Sequence, residues 1–254
     1  MTPPPACKAV GPHCLALSVT LRLATADGPG IASADHEATW LLGHTQRIQF
    51  GPIRRLGRTL EARSRLLVPC RHAAVAGSRV RCRAHGFQGA VRPPRPKSAR
   101  HQLGNDRFSV VDQGKLRVLT MRADPPPRRS LPVADANPCA VARCRTADHT
   151  VGAACCRDLQ IEVLCGTRNR HLEALIRHRK SPYLCKVSRE SPETLGAEMI
   201  SACGFLEPGG VLCTLHGRHR PDGRTAKPDL CFTWPTRDDT YHPNCAFHPA
   251  SGQG

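Results

Sequence analysis

Cys139, Cys144, Cys155, Cys156, Cys203, Cys213, Cys231 and Cys245 punctuate the stretch from residue 139 to residue 245. They lie in the segments CAVARCRTADHTVGAACC, CGFLEPGGVLC, KPDLCFTWP and HPNCAF, with Gly and Pro turns between them. Turns of this kind let thiolates from distant points meet around one metal, and metal binding then supplies folding free energy. The chain needs such a source. Of its 254 residues, which admit one or two domains, 40% are hydrophobic with Cys and Ala included, and 4% are aromatic.

Fourteen cysteines invite a disulfide reading, but that reading belongs to short secreted chains. The apolar segment from Cys14 to Leu21 is cut short by Arg22 and preceded only by Lys8, which argues against a signal peptide. The sequence holds no apolar run of about 18 residues, so no membrane span is expected. The expected setting is a reducing cytoplasm, where clustered Cys more often bind metal.

Charge divides the chain. Residues 1–100 carry sixteen Lys and Arg against four Asp and Glu, and lack Asn and Tyr. Residues 1–30 read as loop. Within 31–68, Leu56, Leu60 and Leu67 recur at helical spacing, with Gly57 interrupting. Residues 69–100 are Arg-rich and end in a polyproline-like run, so they are expected to be disordered. Three readings of this half stay open: a basic arm touching nucleic acid or another polyanion, a segment ahead of a true start at Met121, or a small domain. Residues 105–121 suggest short strands around Gly114, and Asp124 to Arg129 a linker.

The C-terminal unit, 131–250, has clearer signals. Leu159, Ile161 and Val163 alternate with polar residues as in a half-buried strand. Asn169 to Lys180 reads as a helix with Leu172, Leu175 and Ile176 on one face, stopped by Pro182. Tyr183 to Val187 suggests a strand. Pro192 to Ala202 suggests a second helix, capped by Ser191. Phe205 to Leu215 reads as a hairpin about Pro208-Gly209-Gly210, and the tail as loop. The expected fold is thus a small irregular α+β, Cys-rich, metal-stabilised domain. A largely disordered basic region (1–104) and a linker with short strands (105–130) precede it.

Adjacent Cys155 and Cys156 can both ligate if the backbone turns sharply or two centres share them. Otherwise they form a strained disulfide, or one is a small buried residue. Cys203 and Cys213 flank the expected hairpin, so its ends can present both sulfurs to one centre. Cys231 follows the Lys227-Pro228 turn. Cys165 and Cys185 read as packing residues, and Cys7, Cys14, Cys70 and Cys82 receive no role. Among the histidines, His149 is the best candidate ligand, six residues before Cys155. His216 and His219 read as a solvated loop, and His242 and His248 stay open between ligand and surface group.

Four blocks resemble the YkgJ-like zinc- or iron-chelating family, over residues about 139–247. They are Ala154-Cys155-Cys156-Arg157, Cys203-Gly204-Phe205-Leu206, Cys213-Thr214-Leu215-His216-Gly217, and Arg220-Pro221 through Cys231 to Trp234-Pro235, in that order. That family's CxxCxxCC cluster would place two more Cys where His149 and Gly152 stand, so Cys144 and Cys139 are the substitutes, with His149. The ligand set the resemblance implies is Cys144, Cys155, Cys156, Cys203, Cys213 and Cys231, with Cys139, His149 and Cys245 as further candidates. Arg157, Arg220 and Lys227 are expected as donors to the sulfurs that would tune such a site. The implied cofactor is zinc or an iron–sulfur cluster, since thiolates suit both. Flagellin lysine methylases share a similar Cys framework, which keeps a modifying or redox enzyme as an alternative. The sequence shows no P-loop, Rossmann motif or nucleophile–base constellation.

Overall fold

The computed structural model describes residues 12–25, 38, 40–86, 88–90, 99–103, 106–111, 115–118, 143–166, 172–207, 210–216, 227 and 231. A short helix α1 (Pro12–Leu15) leads into β1 (Leu17–Thr25), β2 (Ile48–Leu56) and β3 (Thr59–Leu66). Next come β4 (Ala73–Ala76), β5 (Arg79–Cys82) and β6 (Gln88–Ala90), then β7 (Ala99–Leu103), β8 (Asp106–Val111) and β9 (Lys115–Val118). The chain continues through β10 (Asp158–Leu164), helix α2 (Leu172–Arg179), β11 (Leu184–Ser191) and β12 (Thr194–Ile200).

The principal sheet has six antiparallel strands in the order β11-β12-β10-β1-β3-β2. Period-2 patterning explains it. Leu17, Val19, Leu21 and Leu23 of β1 are buried, as are Leu60, Ala62 and Leu66 of β3. Leu159, Ile161 and Val163 of β10 and Leu195, Ala197 and Met199 of β12 continue the same face. Leu172 and Ile176 of α2 and Leu41 and Leu42 of a helical turn pack against it. At the centre, Leu21 pairs with Val163 and Arg22 with Glu162, and on the solvent side the Arg22 guanidinium meets the Glu162 carboxylate at 2.8 Å. Two three-stranded sheets, β4-β5-β6 and β7-β8-β9, form from the intervening sequence.

The structure corrects several expectations. The first hundred residues are not largely disordered: β1, β2 and β3 supply half of the principal sheet, and β4 to β6 form a sheet where disorder is expected. Arg-rich sequence folds here because β1, β3 and β5 alternate, as does β2 as far as Ile53. The arginines take the outer positions and a sparse set of aliphatics takes the inner ones. The polyproline run, the 124–129 linker and Met121 lie outside the described residues.

The helical reading of 56–67 fails because Gly57 is the turn of the β2–β3 hairpin, at φ 59, a region open to glycine. The expected helix at 192–202 is β12. Pro192 and Glu193 form the hairpin turn from β11, and Ser191 caps nothing helical; its Oγ accepts from the Glu193 N–H at 3.2 Å. The residues 1–30 expected as loop include β1. The strand at 158–164, the helix at 172–179 and the strands at 106–118 form where the patterns place them, and the strand expected at 183–187 extends to Ser191.

Candidate metal centre

The first cysteine block folds into a tight turn at the entry to β10. Ala154–Cys156 make one turn of 3-10 helix, entered by Ala153 in the left-handed region at φ 49. Cys156 N–H donates to the Ala153 carbonyl and Arg157 N–H to that of Ala154, both at 2.9 Å. Beyond the last β10–β12 pair, Ser201 N–H donates to the Arg157 carbonyl and Cys203 N–H to the Cys156 carbonyl, both at 2.7 Å. Cys156 and Cys203 are therefore neighbours because β10 and β12 pair to their ends, Asp158 with Ile200.

The second and third blocks form two similar turns. Leu206 N–H donates to the Cys203 carbonyl (3.1 Å) and His216 N–H to the Cys213 carbonyl (3.0 Å). The turns are joined by an antiparallel bridge between Leu206 and Cys213 and by Thr214 N–H on the Phe205 carbonyl at 2.8 Å. In each turn the backbone N–H groups two and three residues on, Phe205 and Leu206 or Leu215 and His216, also face the cysteine sulfur. Such donors favour a thiolate over a thiol and orient it.

The sulfurs feel one another. Burial pushes the Cys203 thiol up to about 12, and the charge of Cys156 adds to this. Burial raises Cys231 well above the usual thiol range, followed by Cys156, Cys203 and Cys213; burial also raises Cys213. Cys156 moves the other way: the Cys155 thiol donates to its sulfur, and Lys227 and Arg157 add positive charge. Burial thus favours the thiol form at Cys203, Cys213 and Cys231, while the Cys155 hydrogen bond and the charges of Lys227 and Arg157 favour the thiolate form at Cys156.

A loop from the N-terminal half forms one wall. Gly204 N–H donates to the Gly43 carbonyl at 2.8 Å, Ser201 Oγ donates to the His44 carbonyl at 2.9 Å, and Ala202 N–H donates to Gln46 Oε1 at 2.9 Å. A side chain at Gly43 would begin 3.2 Å from the Cys203 sulfur. His44 is fully enclosed, edge-on to Trp40 with ring centroids 4.4 Å apart, and its ring lies against the Trp40, Cys155 and Leu41 carbonyls. Burial lowers it to about 4, so it is neutral. Its Nε2 and the Nδ1 of His216 are buried without a hydrogen-bond partner among the described residues.

Of the expected ligands, Cys155, Cys156, Cys203, Cys213 and Cys231 fall in one neighbourhood, and Cys155 and Cys156 are separate thiols. Cys144 is buried beside the same turn, its sulfur accepting from Ala154 N–H at 3.5 Å. His149 is exposed, in a loop residue at φ 66. His216 is half-buried beside Cys213 rather than in a solvated loop. Cys139, Cys245, Arg220, His219, His242 and His248 lie outside the described residues. Cys165 belongs to the apolar core, and Cys185 is half-buried on β11. Sequence reasoning missed His44, since a lone histidine far from the cysteine blocks carries no local signal. The donor set suits a thiolate-bound metal, although among the described residues no three His, Cys, Asp or Glu side chains are gathered tightly enough to hold an ion. No family model, curated protein or solved structure matches this chain.

Proposed function

We propose that this is a metal-binding protein whose centre, for zinc or an iron–sulfur cluster, is carried by Cys156, Cys203, Cys213 and Cys231. Cys155 and Cys144 stand beside them, and Arg157 and Lys227 supply positive charge to the sulfurs. One observation carries the reading: thiols from four separate segments lie close enough for the charge on Cys156 to raise each of the other three. The backbone N–H groups aimed at Cys203 and Cys213 support it, being the outer partners that thiolate ligands require. The sequence resemblance to the YkgJ-like framework points the same way. The test is anaerobic purification of the full chain, with metal analysis and an absorption spectrum. Brown colour with broad visible absorption identifies an iron–sulfur cluster, and a colourless zinc-loaded sample a structural site. Metal content unchanged in Cys213→Ser would sink the reading.

A second reading, binding to nucleic acid or another polyanion, rests on β5. Arg79 and Arg81 of β5 and Arg83 just beyond it are exposed, while Val80 and Cys82 between them are buried. Salt-independent binding, or binding unaffected by neutralising these arginines, overturns it.

A further inference from the structure

A second group of borderline ligands stands in the small β4-β5-β6 sheet and the end of α2. Cys82 ends β5, and Arg83, Ala84 and His85 follow in a turn closed by Gly86 N–H on the Cys82 carbonyl at 2.9 Å. The turn places Cys82 Sγ 3.5 Å from His85 Nδ1. His178, in the last turn of α2, stacks on His85 with ring centroids 5.4 Å apart and planes 16° apart. The His72 ring lies 5.8 Å from that of His178. Backbone bonds hold these segments together: Arg83 N–H donates to the His72 carbonyl at 2.8 Å, and Arg71 N–H to the Arg179 carbonyl at 3.0 Å.

We propose that Cys82, His85, His178 and His72 bind one divalent metal ion of the zinc class, at a site separate from the cysteine centre. In a tetrahedral site with Zn–S about 2.3 Å and Zn–N about 2.0 Å, the sulfur–nitrogen edge is about 3.5 Å, which is the spacing of Cys82 and His85. A two-residue interval is also what a tight turn needs to aim two ligands at one point. His178 Nε2 is buried with no hydrogen-bond partner among the described residues, so in the tautomer protonated at Nδ1 it can ligate. As the side chains stand, no three of them are gathered tightly enough to hold an ion; binding requires rotation about the side-chain bonds of His178 and His72 to bring them in, with the Cys82 proton leaving to solvent.

The test counts metal per chain by native mass spectrometry after the full chain is loaded with zinc and the excess removed, with Co(II) titration for affinity. Relative to the wild type, His85→Gln is expected to lose one zinc and to bind Co(II) at that site more than about tenfold more weakly, the least that loss of even an outer partner costs. His178→Gln gives a second reading away from the turn, and far-UV circular dichroism identifies folded variants. Cys213→Ser separates the two centres, since it should remove only metal bound by the cysteine cluster. A count equal to wild type in either folded histidine variant overturns the proposal. So does a wild-type count that falls to zero in Cys213→Ser alone. A count that falls in His85→Gln but not in Cys213→Ser upholds this site and sinks the cysteine centre instead.

Discussion

Gly51 shows how little room single residues have. A Cβ there would stand 2.3 Å from the Arg63 carbonyl oxygen of the neighbouring strand, at the irregularity where β2 shifts register between Phe50 and Ile53. The obstacle is backbone, so β2 or β3 would have to move. Gly51→Ala is expected to destabilise the chain by about 1–3 kcal/mol, read as a lower midpoint in a urea melt. His44 makes a pH prediction. Folding holds it neutral to about 4, whereas the unfolded chain protonates it near 6.5. The unfolded state therefore binds more protons between these values, and stability falls as pH drops through that window. His44→Gln should flatten this dependence by on the order of 1–3 kcal/mol between pH 7 and 4. A pH–stability curve parallel to wild type would refute the assignment.

At the scale of elements, the site is a set of turns attached to strand ends. The turn at 154–156 sits at the start of β10, the Cys203 turn after β12, and the bridge between Leu206 and Cys213 fixes the third. This arrangement separates the two adjacent cysteines. The charge of Cys156 bears on Cys203, Cys213 and Cys231, while the Cys155 thiol donates to the Cys156 sulfur. Cys155→Ser, which can still donate that bond, is expected to retain metal, and Cys203→Ser to lose it; equal metal content in the two variants would contradict this division. Another tie between elements is Arg179 at the end of α2. Buried, it donates to the Val68 carbonyl at 2.7 Å and the Cys14 carbonyl at 3.2 Å. Arg179→Met keeps the stem but removes the guanidinium donor from the buried Val68 carbonyl, whereas the Cys14 carbonyl keeps the Cys70 N–H at 2.7 Å, and a thermal melt should register about 1–3 kcal/mol of lost stability.

At the scale of the molecule, the two halves of the sequence share one sheet. A chain beginning at Met121 would lose β1, β2 and β3, exposing the edge of β10 and the Leu159-Ile161-Val163 face. Each of the buried leucines lost with β1 and β3 contributes about 1.5–3 kcal/mol. Such a fragment is expected to show no cooperative thermal transition, and a sharp one would mean that the C-terminal strands are self-sufficient. The alternation of β10, the α2 face stopped by Pro182 and the order of the cysteine blocks were all readable in advance, because each is a local pattern. Even there β12 lacks a clear local signal: Gly196 and Ala197 blunt the contrast between its faces, and Ser191-Pro192 suits a hairpin turn as well as a helix start. The pairing of Arg22 with Glu162, 140 residues apart, had no such signal. Amphipathic strands carry no address for their partners, and only the packed sheet selects which edges meet. That selection brings the 43–47 loop and His44 against the Cys203 turn, and it gathers thiols whose proximity no spacing along the chain could specify.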